Sequence, residues 1–431
     1  MVRDDPSSRV GRDAAAAADL IRQAGITVIR KRGITLFGDR WKGFTTVQDG
    51  GIDFLRQDYI ERACGAIRLP DEIAESIVQG AAAIRQDGAL SESARRFHKE
   101  LFIDKADPGE VNKRLLAAGP QSGMMAAVVY LGALPSMSAY YDSKRIPERV
   151  LVATLEDMAI WMRHYRQQNG EWGLGQVGWL IRHFSGKLFR LGRLQFAFIP
   201  YNKPFKAFRH RASGRVAALS ESGIRYRADG QTDGTNGVFD SEGGWISALD
   251  FDGTAYTGHP VTGKEAVART RVRLRADEWE LVLEKGDTVL DVHIPEGGKM
   301  THELCRDSYG QAVAFAADHF PETPFKGFVC SSWLLAPQFP LLLPADANIV
   351  RFQRDYYVTP VKSDEDQTLE RVFGFGTKLA DLPHVPRDTS LQRIVYDHLA
   401  SGGCIHGAAG FLLKDDWSKG TTIAPEADIG T

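Results

Sequence analysis

At 431 residues the chain is too long for one ordinary core and divides into about two or three domains of roughly 150 residues each. Hydrophobic residues make up 43% and charged residues 25%, which excludes a disordered or fibrous protein, and a net charge of −2 gives no global attraction to nucleic acid or anionic membrane. The four cysteines, Cys64, Cys305, Cys330 and Cys404, form no CxxC pair, which speaks against a zinc ribbon or a disulfide framework and for reduced thiols in a cytoplasmic protein.

Residues 1–60 read as an N-terminal extension, whose "AAAAADLIRQAG" predicts a short Ala-rich helix rather than the core of a signal peptide. No run approaches the ~18 apolar residues that span a bilayer, so no membrane partner is expected. Residues 61–190 read as a helical domain. In "PERVLVATLEDMAIWMRHYRQQ" Pro147 opens a helix, and Val150, Leu151, Thr154, Leu155, Met158 and Trp161 recur at threes and fours as a core stripe. From residue 191 the period changes to two: "LQFAFI", "FKAFRH", "IRYRA", "WISALDF", "WELVLEKG" and "TVLDVHI" are short, turn-bounded and rich in aromatic and branched residues, the pattern of a sheet. "MTHELCRDSYGQAVAFAADHFP" predicts an amphipathic helix ended by Pro321, and "FKGFVCSSWLL" a buried strand after it. Two more helices are expected near "DQTLERVFG" and "DTSLQRIVYDHLASGG", the second capped by Asp388 or Thr389 and followed by Gly402. Residues 414–431 are expected to form a flexible tail. The fold class is α+β, a helical N-terminal domain followed by a mixed sheet with flanking helices over residues 191–413.

The segment "VHIPEGGKMT", residues 292–301, joins a strand to a helix inside a βαβ unit, whose two strands should run parallel with a right-handed crossover. Gly297 and Gly298 permit positive φ and close approach to the backbone, and Thr301 suits the cap of a helix whose first N–H groups have no partners. Two readings fit these residues: a tight strand-to-helix turn, or an anion loop in which main-chain donors, the helix dipole and Lys299 hold a pyrophosphate. Neither GxGxxG spacing nor a Walker loop is present.

"DEWELVLEKGDTVLDVHIPEGGKMT", "FVCSSWLLAPQF", "NIVRFQRDYYV" and "GWLIRHFSGKLFRLGRLQF" together resemble a family of bacterial acyltransferase-domain proteins, over roughly residues 60–413. Its members join a helical N-acyltransferase-type N-terminal domain to a GNAT-like C-terminal domain. The resemblance implies a GNAT-like sheet that binds acyl-coenzyme A as co-substrate between two splayed parallel strands, here "TVLDVHI" and "FVCSSWLL". The backbone of Val292 and Ile294 would align the pantetheine arm, and the loop Glu296, Gly297, Gly298, Lys299, Met300 and Thr301 would hold the pyrophosphate. The usual phosphate loop of that fold, Q/R-x-x-G-x-G/A, is not reproduced: "PEGGKMT" lacks the leading Arg or Gln and carries Glu296.

Acyl transfer needs a base, oxyanion donors and an acid for the leaving thiolate. His293 is the candidate base, on the same strand face as Asp291, with a structural histidine closing the strand as the alternative. Alternation puts Cys330 and Ser332 on one face of their strand and Ser331 on the other. Either serine suits a donor role, and Cys330 is either an acyl carrier or a small buried hydrophobe. Tyr356 and Tyr357 are candidate acids or strand-core aromatics. Between Trp172 and Ser220 there are nine basic residues and no acidic one, which fits a ribose phosphate, a nucleic-acid backbone, or internal pairing with the acidic segment 221–260. Glu242, Asp250 and Asp252 near Trp245 are candidates to receive a cationic amine. Eleven histidines without HExxH-like spacing give no expectation of a metal site. The leading expectation is an acyl-coenzyme A dependent N-acyltransferase acting on a small-molecule or peptide amine in the cleft between the domains, with the oligomeric state open. An inactive GNAT-like scaffold ranks second, and nucleic-acid binding through residues 172–220 third.

Overall fold

The computed structural model describes residues 40, 41, 44, 53–263 and 265–419. The expected Ala-rich helix of the extension, and residues 420–431 of the expected tail, lie outside the described residues. Among the described residues eight α-helices come first: α1 (Gln57–Ala66), α2 (Asp71–Gln86), α3 (Gly88–His98), α4 (Pro108–Leu116), α5 (Ser122–Leu131), α6 (Leu134–Lys144), α7 (Glu148–Asn169) and α8 (Val177–Phe184). α7 starts after Pro147 and stops at Gly170, whose φ of 78° is left-handed and awkward for other residues. Its predicted stripe is buried from Val150 to Met158, while Trp161 is only partly covered. α5 is apolar all round because it sits inside the helical domain, with Met125 to Leu131 all buried. Ser122–Lys144 passes the length and composition test for a membrane span, with a hydropathy of 1.3, which the sequence reading did not anticipate. Of this apolar window 72% is buried within the protein, and the helix axis breaks between α5 and α6.

The strands follow in chain order: β1 (Phe189–Leu191), β2 (Leu194–Pro200), β3 (Phe205–His210), β4 (Val216–Ser220), β5 (Arg225–Tyr226), β6 (Trp245–Ile246), β7 (Asp250–Phe251), β8 (Ala255–Gly258), β9 (Val272–Arg275), β10 (Trp279–Leu283) and β11 (Thr288–His293). After β11 come α9 (His302–His319), β12 (Gly327–Ser332), the short helices α10 (Phe339–Leu342) and α11 (Asn348–Gln353), then β13 (Tyr357–Thr359), α12 (Asp366–Phe373), α13 (Ser390–Ala400) and β14 (Ala408–Leu413). The main sheet has six strands in the order β1–β2–β11–β12–β14–β13, and β11 and β12 are its parallel pair, joined by α9. Leu290, Val292, Phe328 and Cys330 face α9 and share one core with the helical domain. Val289, Val329 and Phe411 face the other way and pack on the β10–β3–β4 sheet.

Several expectations shift here for local reasons. "FVCSSWLL" leaves the strand at Ser332, because the Ser332 hydroxyl accepts the Leu334 N–H at 3.1 Å and turns Trp333–Leu335 into a 3-10 turn. "IRYRA" and "WISALDF" yield only two-residue strands in small side sheets. β14 was not foreseen. Residues 414–419 are not loose: Asp416 is buried and meets Arg209 at 2.8 Å, and the Trp417 ring lies against Gly310, where a side chain would collide at 3.0 Å.

Candidate active site

β11 is bound fully on one side and briefly on the other. Against β2 it pairs at six positions, from Thr288↔Pro200 to His293↔Gln195. Against β12 it pairs at two, Leu290↔Phe328 and Asp291↔Val329, although β12 itself pairs with β14 out to Ser332↔Ala408. The two parallel strands therefore stop pairing beyond Asp291 and Val329. Past that point Val292 and His293 on β11 and Cys330 to Ser332 on β12 are not paired with one another.

The chain leaving this wedge forms the glycine loop. Gly297 and Gly298 take φ of 92° and 70°, and a Cβ placed on either would meet nothing within 4 Å. Thr301 caps α9 by accepting the Leu304 N–H at 3.3 Å, as its position before the helix required. The N–H groups of Gly297, Gly298, Lys299, Met300 and Thr301 donate to nothing among the described residues. Five successive open donors at a helix start make an anion nest. The loop forms one wall of a cleft of about 610 Å³ whose other walls come from the helical domain: Arg68, Pro70, Glu156 and Arg163, with Arg190 and Arg193 around the β1–β2 turn.

Charge in this cleft is mostly positive. Arg68, Arg163 and Lys299 make no ion pair among the described residues, whereas Arg190 is bound to Glu156 at 2.8 Å. Arg193 donates to the Pro295 carbonyl at 2.8 Å, fastening the loop to the β1–β2 turn, and burial together with Arg190 holds its pKa below the usual guanidinium range. Arg68 sits at φ 56°, a left-handed conformation unusual for a side-chain-bearing residue and of the kind that concentrates at functional sites.

At the wedge, His293 and Asp291 share a sheet face, as alternation predicts. Their side chains meet at 2.7 Å between His293 Nε2 and Asp291 Oδ2. Arg182 of α8 approaches both, at 3.1 Å from Nε2 and 3.3 Å from Oδ2, and the Trp179 ring stands edge-on to the imidazole at 4.8 Å. A single nitrogen cannot serve a donor and an acceptor at once. The shorter contact assigns the Nε2 proton to Asp291, so Nδ1 carries the lone pair, and it has no hydrogen-bond partner among the described residues. Burial pushes the Asp291 carboxyl up, but the His293 hydrogen bond and the charges of His293 and Arg182 outweigh it and hold the pKa below its ordinary value. Behind this group lies a second buried pair, His183 Nε2 to Asp157 Oδ2 at 3.0 Å, with Trp179 Nε1 on the same oxygen at 3.1 Å.

The remaining candidates separate. Ser331, two positions beyond the last paired residue, matches His293 in register and face, and its side chain is exposed. The Ser332 hydroxyl is committed to Leu334. Cys330 is fully buried on the opposite face and burial pushes its thiol far up, so it fits the small-hydrophobe alternative rather than an acyl carrier. Tyr357 lies between the sheets, its hydroxyl on Val261 O at 3.2 Å and Ala218 N at 3.3 Å. Tyr356 pairs with Tyr309 at 2.9 Å, and burial raises both phenols well above their ordinary value. Ile294 and Met300 pack their side chains on the core, and Val292 is buried, which leaves only their backbones for a ligand.

The nine basic residues of 172–220 are not a continuous patch. Arg182, Arg190, Lys206, Arg209 and Arg211 pair with Asp291, Glu156, Glu284, Asp416 and Glu280, none of which belongs to the acidic segment 221–260. Asp250 and Asp252 stay exposed and pair with Arg271 and Arg273. Sequence reading missed Arg68, Arg163 and Trp179. It carried Arg182 and Arg193 only as members of the basic stretch.

This architecture defines an acyltransferase of the GNAT type with a helical companion domain. Residues 58–186 match the N-acyltransferase N-terminal domain, and residues 188–412 match the GNAT-like C-terminal domain. The second match alone spans more than half of the chain, and the chain belongs to this family of two-domain acyltransferases. Solved structures share the fold. An acyltransferase in complex with decanoyl-CoA and teicoplanin is 23% identical, with a TM-score of 0.54 over 83% of this chain and 88% of that one. An acyltransferase mutant in complex with octanoyl-CoA is 22% identical, with a TM-score of 0.53 over 83% and 88%. A complex with CoA and 10C-teicoplanin gives 22% identity and 0.54 over 83% and 88%. No curated protein matches the chain.

Proposed function

We propose that the enzyme transfers an acyl group from acyl-coenzyme A to the amine of a small-molecule or peptide acceptor. One observation carries this reading: the two parallel strands stop pairing beside five open main-chain donors, at the mouth of a cationic cleft. The diphosphate fits the loop Glu296 to Thr301 with Lys299 and Arg193, and the pantetheine arm runs along the free edge of Val292 and Ile294 toward the wedge.

The acceptor amine attacks the thioester carbonyl, and the new C–N bond replaces the C–S bond. His293 Nδ1 takes the amine proton, and Asp291 stabilises the imidazolium that results. Strand-edge N–H groups serve the oxyanion, and the departing thiolate takes the proton carried by the His293 imidazolium, relayed through the Ser331 hydroxyl or water, which returns His293 to its neutral form. Complexes of similar acyltransferases with teicoplanin and with 10C-teicoplanin support an acceptor of small-molecule or peptide type. Use of acyl-coenzyme A fits a cytoplasmic protein whose Cys64, Cys305, Cys330 and Cys404 stay unpaired.

Thiol release from acetyl- to decanoyl-coenzyme A, measured with an amine panel, tests the proposal. Amine-dependent release is expected for wild type and its loss for His293→Ala. Coenzyme binding without release by any amine would point to the scaffold reading instead, and absence of coenzyme binding at millimolar concentration would refute both.

A further inference from the structure

Glu296 stands where a diphosphate would be better served by a cation, and it replaces the Arg or Gln expected at the head of such a loop. Its carboxylate has a partner outside the loop. Oε2 meets Nε2 of His164 on α7 at 2.5 Å, across 132 residues of sequence. His164 is 23% exposed and is held by two rings, Trp161 at 5.3 Å and Phe375 at 5.8 Å, which meet each other edge-on. Phe375 reaches α7 from a loop in which Gly374 and Gly376 take φ of 125° and 80°. The charged groups around the pair are Glu156, Arg163 and Arg166 on α7, Arg68 after α1, Arg190 and Arg193 around the β1–β2 turn, Lys299, Asp307 of α9, and Arg371 of α12. Of these, Arg166 is turned to Glu72 and Arg371 lies over the Phe375 ring.

We propose that His164 is a positioning residue for coenzyme binding: its hydrogen bond holds the Glu296 carboxylate against α7. The inference rests on the coenzyme reading above and adds a residue of the helical domain to that site. Without that bond the carboxylate is free to turn to the five open N–H groups beside it and compete with the diphosphate for them. A carboxylate beside a doubly charged diphosphate in solvent costs about fivefold in affinity.

The test is calorimetric titration of coenzyme A, at one pH, into wild type, His164→Leu, His164→Gln, Glu296→Gln and the double variant combining His164→Leu with Glu296→Gln. His164→Leu, which cannot hold the carboxylate, should weaken binding about fivefold. His164→Gln, whose side-chain amide can still donate to Glu296, should recover most of that loss. In the Glu296→Gln background His164→Leu should have no effect. An equal loss from His164→Leu with and without Glu296, or no recovery with His164→Gln, overturns the proposal. Failure of all these proteins to bind coenzyme A overturns the coenzyme reading along with it.

Discussion

Asp291→Asn probes the chemistry of the wedge. The Asp291 side chain is 19% exposed, and Oδ2 meets His293 at 2.7 Å and Arg182 at 3.3 Å. Its pKa is lowered from 3.8, with burial opposing and the His293 and Arg182 interactions prevailing. A carboxyl depressed in the folded state stabilises the protein above its unfolded pKa and loses that contribution as pH falls through the folded value. Asn keeps the shape but removes the charge from a site occupied by Arg182. Hydrogen bonds to charged groups contribute about 1.5–3 kcal/mol, so the variant should lose about 2 kcal/mol at pH 7. As pH falls through the folded pKa, the wild-type carboxyl is protonated and the difference should close. On turnover, Asn cannot stabilise the imidazolium, and loss of general-base catalysis costs about 10²–10⁴-fold in rate. Urea melts at pH 7 and under acid conditions, with thiol release at saturating acyl-coenzyme A, read both effects. Wild-type turnover by Asp291→Asn would refute the assigned role of His293, and a stability loss unchanged in acid would refute the assigned electrostatics.

Gly298→Ala should weaken coenzyme A binding far more than it lowers stability. The left-handed φ costs about 1 kcal/mol, while the added methyl intrudes into the open cleft; calorimetry and melting on one sample separate the two. Cys330→Ala should keep full amine-dependent thiol release and lose about 1–2 kcal/mol of stability from the cavity, since the buried thiol is packing; loss of turnover in a folded variant would reinstate the thiol. Burial raises Glu265 to about 7, so the folded state binds that proton more tightly and the associated stability is lost as pH rises through that value. Glu265→Gln, neutral throughout, should therefore gain stability relative to wild type between pH 5 and pH 8 in thermal melts, and a constant difference would contradict the buried assignment.

Local chemistry was legible where one segment carries its own reason. Adjacent Gly297 and Gly298 followed by Thr301 announced the loop and cap, and strand alternation placed His293 with Asp291. Thr389 with Gln392 formed the expected cap of α13 as a reciprocal pair. What did not show was meeting across distance. Nothing near Arg182 marks it as the partner of a carboxylate 109 residues on, and the basic stretch read as a field because its acids lie in other elements. "GAAGFLL" is short and glycine-bearing, so β14 was hidden until its burial between β12 and β13 appeared. Ser332 ended its strand early through a side-chain to backbone bond that alternation cannot anticipate.

Amide hydrogen exchange, measured residue by residue with and without coenzyme A, tests the central claim most directly. Protection of the Gly297 to Thr301 N–H groups on binding, with the β10–β3–β4 sheet unchanged, is the predicted result. Coenzyme A that binds while those five amides exchange as fast as before would contradict the account.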